Sequence, residues 1–258
     1  MSYSKELVMQ SVEKHYVKWD KEKIAKFWDI FGTLSGLEGS FFIDWASNWM
    51  INEIKKFIPA KKDHRPKLLD IACGTGTLLG KAYKAGYHCF GIDLSEERIK
   101  EVSHKFKDIK FLVGNSTTLP YSSEIFDIIV STQLIEHLLN EDVDNFFKET
   151  NRCLVKGGYL FITTRYNENL LLNYAVCPDC HAMFHIYQHL QKWDKAKITQ
   201  ILVGSGFRNI ICRRSRCNGT IPHEPYKIVK FFKPLIRRFL HKHLEKKGLY
   251  LYAVAQKR

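Results

Sequence analysis

The chain has 258 residues, 45% hydrophobic and 26% charged, which is ordinary for a globular protein with one full core and additions to it. No apolar run approaches the roughly 18 to 20 uncharged residues of a membrane-spanning helix. The opening "MSYSKELVMQSVEKHY" lacks the apolar centre of a signal peptide, so a cytoplasmic location is expected. The net charge of +13 is unevenly spread: residues 1–204 carry 26 Lys+Arg against 25 Asp+Glu, residues 205–258 carry 14 against 2. A basic terminal fifth of this kind suits an anionic surface, either nucleic acid or membrane headgroups. The seven cysteines, at 73, 89, 153, 177, 180, 212 and 217, form no disulfide framework and read mostly as reduced core residues.

In chain order, residues 1–60 read as a helical cap, with Tyr16, Trp19, Phe27, Trp28, Phe41, Phe42 and Trp45 as packing residues. Residues 61–258 form the second unit. "KLLDIAC" predicts a buried strand, "GTLLGKAYKAG" a helix closed by Gly86, and "YHCFGIDLS" a strand ending on an acid. "SEERIKEVSHKF" opens on a serine cap with acids in its first turn. Strands "IKFLVGN" and "FDIIVSTQ", helix "EDVDNFFKETNRCLV" and strand "GYLFITT" follow. This alternation predicts an α/β doubly wound, mostly parallel sheet covered on both faces. An irregular insertion is expected over 165–192, then helix "KAKITQILVGSG", strand "FRNIICRRS", a basic segment and the strand "GLYLYAVAQK".

The glycine turn at Gly74 and Gly76 joins the first of these strands to the first helix, where an open parallel sheet lets a ligand approach bare backbone. Asp93, ending the second strand, is placed to accept from both hydroxyls of a ribose. A dinucleotide fingerprint is excluded, because Leu79 stands where its third glycine belongs and Gly80 comes one residue late. No Walker lysine follows. Asp70, Gly74 and Gly76 resemble the first motif of class I S-adenosylmethionine-dependent methyltransferases, and the likeness covers roughly residues 66–165. That resemblance implies a seven-stranded Rossmann-like sheet with an antiparallel last strand, and a cofactor site built from Asp70, Ala72, Gly74, Thr75, Gly76, Asp93, Leu94, Asn115, Ser116 and Gln133. In it Asp70 faces the methionine amine, Asp93 holds the ribose and Leu94 packs on adenine. Where many relatives carry an acid for the adenine amino group, this chain has Asn115, which still offers an amide oxygen.

"STQLIEHLLNED" is similar to the cation-gathering run of the ubiquinone-type O-methyltransferases, with Gln133 in place of its first acid. That substitution weakens a hard-cation site and leaves His137 as a catalytic base or a structural residue. Cys177, Cys180, His185 and His189 fall within thirteen residues at zinc-ligand spacing. Three readings stand: zinc on all four, His189 as catalytic base beside structural cysteines, or a reduced metal-free loop. The pattern resembles an insertion of bacterial methyltransferases near surface-polysaccharide genes, which implies O-methylation of a sugar or lipid-linked glycan. An isoprenoid-quinone or other lipid acceptor is the alternative enzyme reading, and a nucleic-acid-binding protein on the same scaffold the third. Few aromatics interleave with the basic residues, which counts against stacking on bases. Within the basic segment 226–247, Ile228, Phe231, Phe232, Leu235, Ile236, Phe239 and Leu240 form one helical stripe, suiting either core packing or peripheral docking on the inner face of an anionic membrane.

Overall fold

The computed structural model describes residues 15–33, 41–61, 63–217 and 250–258. The basic stripe of 226–247, and with it the membrane-docking expectation, lies outside them. Among the described residues no helix is long and apolar enough to cross a membrane.

Seven strands build the main sheet. The parallel set is β2 (Lys67–Ile71), β3 (His88–Asp93), β4 (Lys110–Val113), β5 (Phe126–Thr132) and β6 (Leu154–Arg165); β9 (Phe207–Ser215) and β10 (Tyr250–Lys257) complete it. Their spatial order is β4-β3-β2-β5-β6-β10-β9, and β10 runs antiparallel to both neighbours. This is the Rossmann-like arrangement the resemblance implies. The order reverses between β2 and β5, so the carboxyl ends of these two strands border the crevice where such sheets bind ligands, with the end of β3 next to it.

Successive strand residues point to opposite faces, and the core divides accordingly. Leu69 and Ile129 face one cluster with Phe146, Phe147, Trp193 and Ile198. Leu68 and Ile128 face the other with Met50, Ile54, Leu78 and Val102. The first face is covered by α5 (Asn140–Cys153) and α6 (Lys195–Gly204), the second by α2 (Phe42–Lys55), α3 (Thr77–Lys84) and α4 (Glu96–Lys105). Helix α2 thus belongs to the core layer. The Ser95 hydroxyl caps α4 by accepting from the Arg98 amide at 3.2 Å, and Asp194 caps α6 through the Lys197 amide at 2.8 Å.

The stretch 165–192 is more ordered than the sequence suggested. It holds a hairpin of β7 (Tyr174–Val176) and β8 (Ala182–His185), extended into a small sheet by β1 (His15–Tyr16) parallel to β8. Strands of two to four residues are too short for a periodic signal. Outside both sheets, α1 (Lys21–Thr33) lies across the end of the main one, tied by Lys21 to Asp142 at 2.9 Å and by Asp29, which accepts from the Ser95 hydroxyl at 2.9 Å.

Ile129 is fully buried in the central strand β5. Ile129→Ala is expected to lower unfolding free energy by about 2 to 5 kcal/mol, read as a lower urea midpoint with an unchanged slope.

Candidate active site

A cavity of about 490 Å³ opens over the ends of β2, β3 and β5 and beneath α1. Its floor is the turn after β2. The Gly74 amide donates to Asp93 Oδ2 at 2.9 Å, and the Ser95 amide to Oδ1 at 3.1 Å, so one carboxylate ties this turn to the end of β3. Ala72, Gly74 and Gly76 all have positive φ, of 60°, 49° and 67°. A side chain added at Gly74 would meet no protein atom within 4 Å. The space beside it is a cradle that a Cβ would intrude upon.

Asp70 is buried beside this turn, and its Oδ1 has no hydrogen-bond partner. Burial, with a further push from the Asp93 charge, raises its pKa well above the ordinary aspartate value. Burial also raises Asp93, against the opposing pull of the Gly74 and Ser95 amides. An unspent acceptor of this kind fits a donor-bearing ligand, since an unpaired buried oxygen costs about 1 to 3 kcal/mol. Leu94, on the cavity wall, is 42% exposed, which leaves an apolar surface for a flat ring to cover.

Of the other residues expected here, Ala72, Thr75, Ser116 and Gln133 line the cavity. Asn115 does not. Its amide oxygen accepts from the Thr117 amide and hydroxyl, both at 2.9 Å, so this local turn takes up the acceptor reserved in the sequence reading for adenine. Asp44, which carries no sequence signal, accepts from the Thr75 and Thr77 hydroxyls at 3.0 and 2.8 Å and pins α2 to the glycine turn.

The far wall gathers the histidines. His137, on a 3-10 turn at Ile135–His137, and His189 have ring centroids 4.8 Å apart, and Trp28 of α1 packs edge-on against His137 at 4.7 Å. Trp28 Nε1 donates to Gln188 Oε1 at 2.8 Å, and Gln188 Nε2 donates to the His137 carbonyl at 3.1 Å. The Glu136 carbonyl accepts from the Leu190 and Gln191 amides at 2.8 and 2.9 Å, fixing the loop around His189. His189 Nδ1 lies 2.5 Å from Glu168 Oε2, a partner no sequence spacing pointed to. Burial, reinforced by the neighbouring His189, lowers His137 to about 3. An imidazole so reluctant to take a proton is a poor general base, whereas His189 has a carboxylate beside it.

Glu136, fully buried, accepts from the Thr164 hydroxyl at 2.8 Å. The Gln133 amide sits at φ 52°, and its nitrogen donates to the other Glu136 oxygen at 3.2 Å when its oxygen faces Thr163 and Thr164. The carboxylate that the sequence likeness links to a cation is therefore occupied by protein donors.

The four residues of the expected zinc site are not brought together. Cys177 and Cys180 lie at the hairpin turn, His185 and His189 at the cavity end, and β8 runs between them. The four residues of β8 span about 10 Å from first to last Cα, with the turn residue His181 before them. Among the described residues the groupings of three close ligand atoms are Glu136–His137–His189 and Glu168–His185–His189, and neither includes a cysteine. Instead the Cys177 sulfur accepts from the backbone of Cys180 and Asp179 and from the Cys180 thiol, which lowers its pKa. Burial raises Cys73, Cys89, Cys153 and Cys217. With a thiol-specific disulfide reagent, native protein is expected to show two fast thiols, both lost in Cys177→Ser/Cys180→Ser protein. Stoichiometric zinc that shields these two would contradict the arrangement seen here.

Residues 69–162 match the family model described as a methyltransferase domain. Ubiquinone biosynthesis O-methyltransferase from Pelagibacter ubique is 28% identical over 163 residues, 60% of this chain and 66% of the relative. Norajmaline N-methyltransferase from Rauvolfia serpentina is 32% identical over 152 residues, 54% of this chain and 49% of the relative. The chain thus spans about half to two thirds of the length of these relatives, whose names specify different acceptor atoms. Among solved structures, an S-adenosylmethionine-dependent methyltransferase from Mesorhizobium loti superposes with a TM-score of 0.57 at 16% identity, covering 82% of this chain and 98% of the other. Phosphoethanolamine N-methyltransferase 2 from Haemonchus contortus, solved with S-adenosylmethionine, gives 0.61 at 19% identity, covering 91% and 60%. Residues 69–162 are accordingly similar to a methyltransferase domain, and the described residues share the Rossmann-like fold of these solved structures.

Proposed function

We propose that the chain transfers a methyl group from S-adenosylmethionine to a hydroxyl oxygen on a flat, ring-bearing acceptor of phenolic or quinol type. The observation that carries this is the single cavity wall on which an open glycine cradle, with unspent Asp70 Oδ1 beside it, faces a carboxylate-paired histidine. Asp93 would hold the ribose, Leu94 and Ser116 the adenine side, and Gly74 the close backbone approach. Bound there, S-adenosylmethionine supplies an electrophilic methyl group on a sulfonium. The chain's own residues align the acceptor, exclude water and receive its proton. Alignment contributes most of the acceleration in a direct displacement, and a base is required when the acceptor is a hydroxyl.

Trp28, Phe31, Phe42, Trp45, Tyr187 and Tyr250 supply aromatic wall on the acceptor side. Such walls suit a planar ring better than a sugar, whose several hydroxyls call for as many fixed polar partners. A phenolic hydroxyl, with a pKa of about 10 as in tyrosine, is also within easier reach of an imidazole base than an aliphatic one. The relatives named for ubiquinone biosynthesis lend weight to the same choice. The glycan acceptor implied by the insertion draws no comparable support from these walls. Helix α1, tethered through Trp28, Asp29 and Lys21, serves as the lid.

Asp93→Ala is expected to weaken S-adenosylmethionine binding by about 2 to 4 kcal/mol in calorimetric titration, since it removes the ribose acceptor and unpairs the Gly74 amide. Unchanged affinity in folded protein would contradict the cofactor assignment. With methyl-labelled cofactor, label should pass to a phenolic or quinol fraction of cell extract in preference to lipid-linked glycan; the reverse partition would restore the sugar acceptor.

A further inference from the structure

The geometry points to Glu168 as a positioning residue that fixes His189 in its Nδ1–H tautomer and so leaves Nε2 as the atom that takes the acceptor's proton. This rests on reading the chain as an O-methyltransferase. Glu168 lies three residues beyond β6 and outside the matched domain. Its Oε2 stands 2.5 Å from His189 Nδ1. Burial works to raise the Glu168 carboxyl, but the hydrogen bond and charge of His189, with Arg165 and His185, outweigh it and hold the group below its ordinary value. A carboxylate only accepts, so Nδ1 carries the hydrogen. Nε2, across the ring, has no partner among the described residues, and His189 lines the cavity.

The surroundings hold that ring still. His185 stacks on it with centroids 4.7 Å apart and planes 20° from parallel. Gln188 on one side is bonded to Trp28 and His137, and Gln191 on the other donates to the Leu138 carbonyl at 3.2 Å and to Asn140 Oδ1 at 2.7 Å.

The same contacts argue against a metal at this spot. His185 Nδ1 accepts from the Tyr187 and His189 amides at 3.3 and 3.4 Å, so its hydrogen sits on the buried, unpartnered Nε2, and neither nitrogen has a lone pair to give an ion. In the other grouping, the Glu136 oxygens face Thr164 and Gln133.

The step balances as follows. The acceptor's O–H proton passes to His189 Nε2, and an oxygen lone pair forms the new O–CH3 bond. The C–S electron pair stays on sulfur, cancelling the sulfonium charge, and the imidazolium formed beside Glu168 returns its proton to water. Glu168 touches neither acceptor nor cofactor and acts through His189 alone.

The tautomer can be read without knowing the acceptor. In full-length protein with 15N-labelled histidine, at about pH 8, long-range proton–nitrogen spectra should show His189 with Nδ1 protonated and Nε2 bare. The charged and titratable groups around it are Glu136, Glu168, His137, His185, Tyr187 and Arg165. Glu168→Gln should keep this pattern, because its carboxamide oxygen still accepts, while Glu168→Ala should move the hydrogen wholly or partly to Nε2. Both variants should bind S-adenosylmethionine within about twofold of wild type. Loss of that binding in wild-type protein would sink the methyltransferase reading itself. Nε2–H on His189 in wild type, a pattern unmoved by Glu168→Ala, or a stoichiometric metal released by His185→Ala would each overturn the role given to Glu168.

Discussion

The structure depends on one carboxylate. Asp93 ends β3 and accepts from the Gly74 amide while also fixing the Ser95 amide at the start of α4. The turn after β2 contains three residues at positive φ, a shape that isolated chain adopts at a cost. Two bonds accepted by this half-buried acid make that shape the one in which both amides are satisfied. The carboxylate that organises the turn is also the one proposed to hold a ribose, so on that reading cofactor recognition and backbone geometry share a single side chain.

A second constraint acts from outside the domain. Asp44 on α2 accepts from Thr75 and Thr77, and Trp28 on α1 bonds to Gln188. Residues before the sheet therefore grip the cofactor turn at one end and the histidine loop at the other. The cavity is bounded by these grips as well as by the strands.

Legibility in the sequence follows sequence distance. Asp70, Gly74, Gly76 and Asp93 lie within 24 positions of one another, and each sits at a strand end that periodicity already marks. Gln133 and His137 were placed for the same reason, at the end of β5. Glu168 and Asp44 were invisible because their partners stand 21 and more than 30 positions away, joined by folding alone. The four-ligand zinc reading failed in the opposite way. Close spacing of Cys180 and His185 suggested proximity, but the intervening residues form a strand, and an extended chain separates what a turn would unite. Asn115 misled through its side chain, whose oxygen is satisfied two residues on.

The two histidines on the acceptor wall divide one task by their partners. They stand 4.8 Å apart in the same buried room, yet His137 faces a backbone carbonyl, Gln188 O, at 3.4 Å, and His189 faces a carboxylate. Desolvation penalises a charged imidazole at His137, where no hydrogen-bonded carboxylate offsets it. His137 therefore stays neutral. On the proposed reading, that neutrality spares a cationic cofactor an adjacent positive charge. The acceptor hydroxyl, on the same reading, would lie within hydrogen-bond reach of His189 Nε2, while Nδ1 faces Glu168. On that reading the carboxylate behind that histidine would restrict where on its ring an acceptor is methylated, although it does not itself line the cavity.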